Sequence, residues 1–263
     1  MSRLRGKTIV ITGASSGLGV EIAKQAAAEG ARLILLARRS DRLEEVKESI
    51  RRTFSTEVYS YSVDISQKEE IENVFMHVLQ HVSEIDILVN NAGFGVFSEA
   101  HEAKWEETEA MFRVNVLGLI ACTQMVIPHM KARGSGHIIN IASQAGKMAT
   151  PKSSVYAATK HAVLGYTNSL RMEMARDGVR VTAVNPGPIA TEFFTLADPS
   201  GSYVANVGRW MLKPEKVARK VVGAMGTAKR EINLPRWMST GSLIYTLFPR
   251  TVERLGRKAF FKK

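Results

Sequence analysis

The sequence predicts an α/β fold built on one doubly wound parallel sheet, and three observations carry that prediction. Short β-branched or apolar runs alternate along the chain with longer amphipathic runs of helical period. The residues that follow each strand run are glycine, asparagine, serine and other small polar types, suited to the carboxyl edge of such a sheet. The 263 residues hold 45% hydrophobic and 23% charged side chains, enough apolar material for a sizeable core in one unit spanning 1–263.

Each element has its own justification. Residues 7–12 (KTIVIT) form a short β-branched strand, after which glycines give way to the helical run GLGVEIAKQAAAEGA. RLILLA (32–37) is the second strand, RLEEVKESIRRTF a charged amphipathic helix, and EVYSYSV (57–63) the third strand. The beat continues through KEEIENVFMHVLQHV, the strand IDILVNNAG, a long helix over 105–131, the strand GHIINIAS, a helix over 155–176 and the strand VRVTAVNPG. An irregular segment to about 213, the helix PEKVARKVVGAM and a last strand EINLP bring the strand total to seven. No repeat, linker or low-complexity stretch divides the chain.

Composition narrows the function. Cys122 is the only cysteine, so an intramolecular disulfide is excluded, and its apolar surroundings predict a buried, inert thiol. MSRLRGK leads straight into a strand and no run approaches about eighteen apolar residues, so a cytoplasmic location is expected. The net charge is +11, but nine Lys or Arg against two Glu fall in the last 35 residues. Such an asymmetric tail is no groove-reading domain, no zinc spacing occurs, and neither nucleic acid nor metal is expected. The tail, about 236–263, mixes apolar residues with clustered Lys and Arg. It can rest weakly on an anionic membrane surface, or pack on the domain with its charges solvated.

TGASSGLG (12–19) lies between the first strand and its helix. A glycine-rich turn there presents backbone N–H groups and the positive end of a helix dipole, which suits a pyrophosphate. Gly13, Gly17 and Gly19 would equally serve any tight turn. In SSVYAATKHAV (153–163), Tyr156 and Lys160 stand at i and i+4, on one helix face. The spacing G-x-x-x-G-x-G, the NNAG of 90–93 and Tyr-x-x-x-Lys, in this order, closely resemble the short-chain dehydrogenase/reductase family over about 7–191.

The resemblance implies a Rossmann-like sheet, a nicotinamide cofactor and an Asn, Ser, Tyr, Lys catalytic set, here Asn115, Ser143, Tyr156 and Lys160. Tyr156 is the implied acid/base, Lys160 its tuner and a cofactor-ribose ligand, Ser143 the carbonyl binder and Asn115 the holder of a relay water. An ammonium about 4 Å from the phenol is worth roughly 4 kcal/mol at an effective dielectric of about 20, so Lys160 is expected to draw the tyrosine pKa toward neutrality. The glycine-rich stretch, with Ser15, Ser16 and Leu18, would hold the cofactor phosphates. Asp64 and Ile65 would border the adenine, Asn91 its ribose, and Pro186, Ile189 and Thr191 the nicotinamide. Asp64 is also readable as the N-cap of the next helix.

Ala37 stands where NAD-preferring members carry an acidic residue; Arg38 follows at once as the expected 2′-phosphate ligand, with Arg39 and Ser40 near. Arginines are unfavourable at a helix N-terminus, which points to a 2′-phosphate and to NADP(H), although they also read as a solvated helix start. The segment 188–213 is expected to cover the nicotinamide, with Phe193, Phe194, Leu196, Trp210 and Met211 offering apolar contact to a lipophilic ketone, aldehyde or secondary alcohol, or simply packing in the core. Relatives commonly form dimers or tetramers through the two long helices. A catalytically idle dinucleotide-binding sensor or scaffold is the competing class; four catalytic residues together argue against it. Sugar epimerases of the extended family usually carry a longer C-terminal domain.

Overall fold

The computed structural model describes residues 2–260, and Lys262 and Lys263 of the basic tail lie outside the described residues. Seven parallel strands form one sheet in the order β3-β2-β1-β4-β5-β6-β7: β1 Thr8–Thr12, β2 Arg32–Ala37, β3 Val58–Ser62, β4 Ile87–Asn90, β5 Gly136–Ile141, β6 Val179–Pro186 and β7 Glu231–Leu234. The central strands are nearly continuous apolar runs because both faces of a parallel sheet are buried. Ile9 and Ile11 of β1 pack on one face with Ile22 and Ala26 of α1 (Gly17–Ala28) and Val217 and Val221 of α9 (Pro214–Val222). Val10 points the other way, toward Phe75 of α3 (Lys68–His81) and Val126 of α5 (Leu119–Arg133). Cys122 lies in this second layer, where burial pushes its thiol up to about 12, consistent with an inert side chain.

The remaining helices are α2 (Ser40–Thr53), α4 (Trp105–Phe112), α6 (Ser154–Met174), α7 (Phe193–Ala197), α8 (Ser202–Val207), α10 (Arg236–Leu247) and α11 (Pro249–Phe260). Between α4 and α5 the chain makes a π turn over Arg113–Gly118, so one helix runs from Trp105 to Arg133. By length and composition that helix could cross a membrane, contrary to the sequence reading. Its apolar residues go elsewhere: Val116, Leu119, Cys122, Val126 and Met130 are buried against the sheet and α6. The 188–213 segment, irregular in the sequence pattern, contains the short helices α7 and α8, and the tail folds into α10 and α11.

A buried polar ladder fixes α5 and α6 on the sheet. Asn90 of β4 donates to Thr123 Oγ1 (2.9 Å) and to Asn140 Oδ1 (2.9 Å), and Asn140 donates to Thr167 Oγ1 (2.9 Å). Buried polar groups must be paired, so this ladder sets the height of α6, and with it Tyr156 and Lys160, against the strand ends. Strand order reverses between β1 and β4. The crevice outside their carboxyl ends is where a doubly wound sheet takes a ligand.

Candidate active site

At that edge lies a cleft of about 480 Å³. Its first wall is the glycine-rich turn. Gly13 and Gly17 adopt φ of +66° and +53°, a region L side chains rarely enter. A Cβ on Gly13 would stand 2.8 Å from Ala92 Cα, and one on Gly19 would run into Gly13 O, so the backbone approaches the crevice more closely than side chains permit. Ser16 is the extended N-cap of α1. Among the described residues, no side chain caps α1 and no acid stands in its first turn, which leaves a helix N-terminus free to meet an anion. Asn91 braces the turn: its amide donates to Thr12 O (3.0 Å) and Gly13 O (3.2 Å), while Thr12 Oγ1 accepts from the N–H groups of Asn91 and Ala92.

At the end of β2, Arg39 donates to Ser16 Oγ (2.7 Å) and Ser15 Oγ (3.3 Å), lying across the turn. Arg38 turns instead toward Asp64, 3.9 Å from its carboxylate. Glu192, from the covering segment, pairs with Arg42 (2.8 Å) and Arg39 (3.6 Å), supplying the anion that arginines at the start of α2 require. Asp64 accepts from Ser66 N (2.9 Å), but the N-cap of α3 is Gln67, so the helix-cap reading of Asp64 is corrected to a local turn. Ile65 is buried; its carbonyl occupies the space a Cβ on Gly118 would need.

The floor is the catalytic candidates. Ser143 follows β5, and its hydroxyl accepts from Ala145 N (3.0 Å), donates to Pro186 O (3.5 Å) and lines the same cleft as Tyr156. Lys160 is buried, donates to Ile141 O (3.0 Å) and sits 5.7 Å from the centre of the Tyr156 ring. Asn115, buried inside the π turn, exchanges hydrogen bonds with Phe94, accepting from its N–H (3.0 Å) and donating to its carbonyl (2.8 Å); it also donates to Thr159 Oγ1 (3.1 Å). Its side chain thus positions the loop after β4, and the π turn withdraws backbone carbonyls from the regular ladder beside it.

The charge balance differs from the sequence expectation. Burial pushes the Tyr156 phenol up to about 12, outweighing the lowering influence of the Ser143 hydroxyl, and burial pulls Lys160 down to about 8. Desolvation prevails at both groups; the Lys160 ammonium donates to Ile141 O and stands 5.7 Å from the centre of the tyrosine ring.

Beyond Tyr156 the cleft is aromatic and uncharged. Phe97 (6.0 Å between ring centres) and Phe193 (5.7 Å) flank the tyrosine, and Phe194 and Tyr203 stack behind them. Phe193, Phe194 and Leu196 line the cleft as expected, but Trp210 and Met211 do not; Trp210 meets Trp237 at the surface. Sequence reasoning passed over Phe94, Phe97, Met148, Tyr203 and Met238, which also line it. Phe94 and Phe97 directly follow NNAG at a strand end, a position that could have marked them.

A family model described as short chain dehydrogenase matches residues 7–199. The chain belongs to the short-chain dehydrogenase/reductase family. As an oxidoreductase of that family, it is 41% identical over 191 residues to an uncharacterized oxidoreductase of Staphylococcus saprophyticus, covering 73% of this chain and 82% of the relative. The L-sorbose reductase of Gluconobacter frateurii, solved with NADPH and L-sorbose, shares the fold at a TM-score of 0.80 and 30% identity, over 89% of this chain and 97% of that one. A 3-ketoacyl-(acyl-carrier-protein) reductase of Brucella melitensis, solved with NADH, matches at 0.79 and 29%, over 88% and 97%. In this short-chain dehydrogenase the side-chain-free cradle at Gly13 and Gly19 and the uncapped start of α1 fit a dinucleotide. Pro186, Ile189 and Thr191 border the same crevice, and a Cβ on Gly17 would stand 3.2 Å from Thr191.

Proposed function

We propose that this chain is an NADP(H)-dependent reductase of lipophilic ketones or aldehydes, working in reverse on secondary alcohols. The observation that carries the reading is the placement of Tyr156, Ser143 and Lys160 between a dinucleotide-sized cradle and a pocket lined by aromatic and aliphatic side chains. When bound, the nicotinamide supplies the hydride. Gly13, Ser15, Ser16, Gly17, Leu18 and Gly19 would hold the phosphates, Asp64, Ile65 and Asn91 the adenosine side, Lys160 and Tyr156 the nicotinamide ribose, and Pro186, Ile189 and Thr191 the nicotinamide. Ser143 Oγ holds the substrate carbonyl oxygen and Tyr156 Oη delivers its proton there. Burial keeps that proton on the phenol at neutral pH, the state that reduction requires. Lys160 resupplies the proton, and the loosened backbone at Asn115 positions the water that connects Lys160 to solvent.

Support for NADP(H) over NAD(H) comes from Arg39 at the turn, Arg38 beside it and the neutral Ala37 at the end of β2. Support for a lipophilic substrate comes from the uncharged pocket beyond Tyr156. Exposed Trp105, Leu117 and Met172 on the two long helices support assembly into a dimer or tetramer. A panel of aliphatic, aromatic and sugar carbonyls, followed by nicotinamide absorbance with NADPH and with NADH, tests the reading. Turnover is expected with NADPH and apolar carbonyls; turnover with neither cofactor would overturn it.

A further inference from the structure

We propose that the C-terminal helices α10 and α11 form a docking surface for an anionic phospholipid bilayer, placing the cleft mouth at the membrane interface. Along α10, Trp237, Leu243, Ile244 and Leu247 are exposed and recur at helical spacing, and Phe248 follows at the helix end. Leu247 and Phe248 are 62% and 60% exposed, and Leu255 of α11 is 81% exposed. Solvent-facing large apolar side chains gathered on two successive helices mark an interaction site.

The partner is chosen by charge. From Arg236 to the C-terminus the sequence has seven Lys or Arg and one Glu, and the exposed Arg250 and Arg254 stand between the apolar residues of the two helices. Glu253, the single acid, accepts from Tyr245 Oη (3.2 Å), a contact that joins α11 to α10. Arg209 lies over the Trp210 ring (5.5 Å), and Trp210 meets Trp237 edge-on (6.3 Å), extending the amphipathic surface onto the covering segment. Tryptophans, leucines and basic side chains on one helical surface match a bilayer interface, with apolar groups entering the acyl boundary and cations meeting lipid phosphates. A second copy of the chain would bring like charges together across the same face.

The surface is continuous with the cleft. Met238, next to Trp237 on α10, lines the cleft, and its sulfur would stand 2.9 Å from a Cβ on Gly187. Docking therefore brings the cleft mouth to where a lipophilic substrate dissolves. The docking itself does not depend on the reaction proposed above.

Sedimentation of the full chain with phosphatidylglycerol/phosphatidylcholine vesicles, against pure phosphatidylcholine, tests it. The protein is expected to pellet with the anionic vesicles at low salt and to be released by high salt, and Leu247→Glu/Phe248→Glu is expected to bind about tenfold more weakly or worse. Arg250→Glu/Arg254→Glu changes only exposed arginines and carries the test should the first variant fail to fold; it should lose binding to a similar degree. No pelleting on anionic vesicles, or pelleting of the arginine variant like wild type, overturns the proposal. If light scattering instead shows Leu247→Glu/Phe248→Glu dissociating an oligomer while wild type ignores lipid, the face belongs to a second copy and the proposal fails.

Discussion

Arg39→Ala should weaken NADPH binding selectively. The guanidinium lies across Ser15 and Ser16 at the turn, where a 2′-phosphate on the adenosine ribose would accept its N–H groups. Such a charge-assisted bond contributes about 1.5–3 kcal/mol. Arg39 is 46% exposed and already paired with Glu192 at 3.6 Å, and giving up a surface pair costs up to about 1 kcal/mol. The net loss is about 1–2 kcal/mol, or roughly five- to thirtyfold in Kd. Titration of protein fluorescence with each cofactor reads this directly: NADPH weakens by that factor while NADH is unchanged. Arg38→Ala should cost less, because Arg38 faces Asp64, and Arg42→Ala less still, because Arg42 lies outside the cleft wall. Glu192→Gln removes the anion now held by Arg39 and Arg42 and should tighten NADPH by up to about fivefold. Equal weakening of both cofactors by Arg39→Ala, or a wild-type preference for NADH, would refute the reasoning.

Two further perturbations probe the framework. His137, buried between β5 and β6, bonds Thr182 Oγ1 (2.8 Å) through Nε2 and accepts from Gly226 N (3.0 Å) at Nδ1, and burial pulls its imidazole down to about 4. The fold favours the neutral ring, so stability is fully present above about pH 6.5 and falls by up to about 3 kcal/mol as pH drops toward 4. Melting curves of wild type and His137→Gln should converge over that range; parallel curves would contradict the assignment. Gly95→Ala would set a Cβ 2.8 Å from Tyr156 Cδ2 and 3.0 Å from Phe193 Cζ. The displaced ring should lower kcat by about a hundredfold with cofactor binding retained, and wild-type kcat would show that the ring needs no such space.

The seven strands were legible because a parallel sheet buried on both faces leaves continuous β-branched runs, and the turn was legible because glycine is favoured at the positive φ of Gly13 and Gly17. Tyr156 and Lys160 stood out by their i, i+4 spacing and Ser143 and Asn115 through the family resemblance; the fold brings Tyr156, Lys160 and Ser143 to one cleft, with Asn115 buried beside the loop after β4. What remained hidden depends on distances between elements far apart in sequence. Residue order could not reveal that Arg39 crosses the turn while Arg38 turns away, since that rests on Ser15, Ser16 and Asp64. Nor could it give the Tyr156 and Lys160 directions, because burial by Phe97 of the loop after β4, Phe193 of α7 and Tyr203 of α8 comes from segments brought together only in the fold. The π turn at Asn115 leaves no mark in apolar periodicity, and the helices of the covering segment are too short to show one.

Tyr156→Phe tests the proposed proton donor most directly. The ring is kept, with its neighbours Phe97 and Phe193, and only the hydroxyl is removed. Reduction of the best carbonyl from the panel, followed by NADPH absorbance at saturating cofactor, should fall by about two to four orders of magnitude while the NADPH Kd weakens by no more than about tenfold, the loss of one ribose hydrogen bond. A variant that turns over at the wild-type rate would contradict the assignment of Tyr156 as the acid.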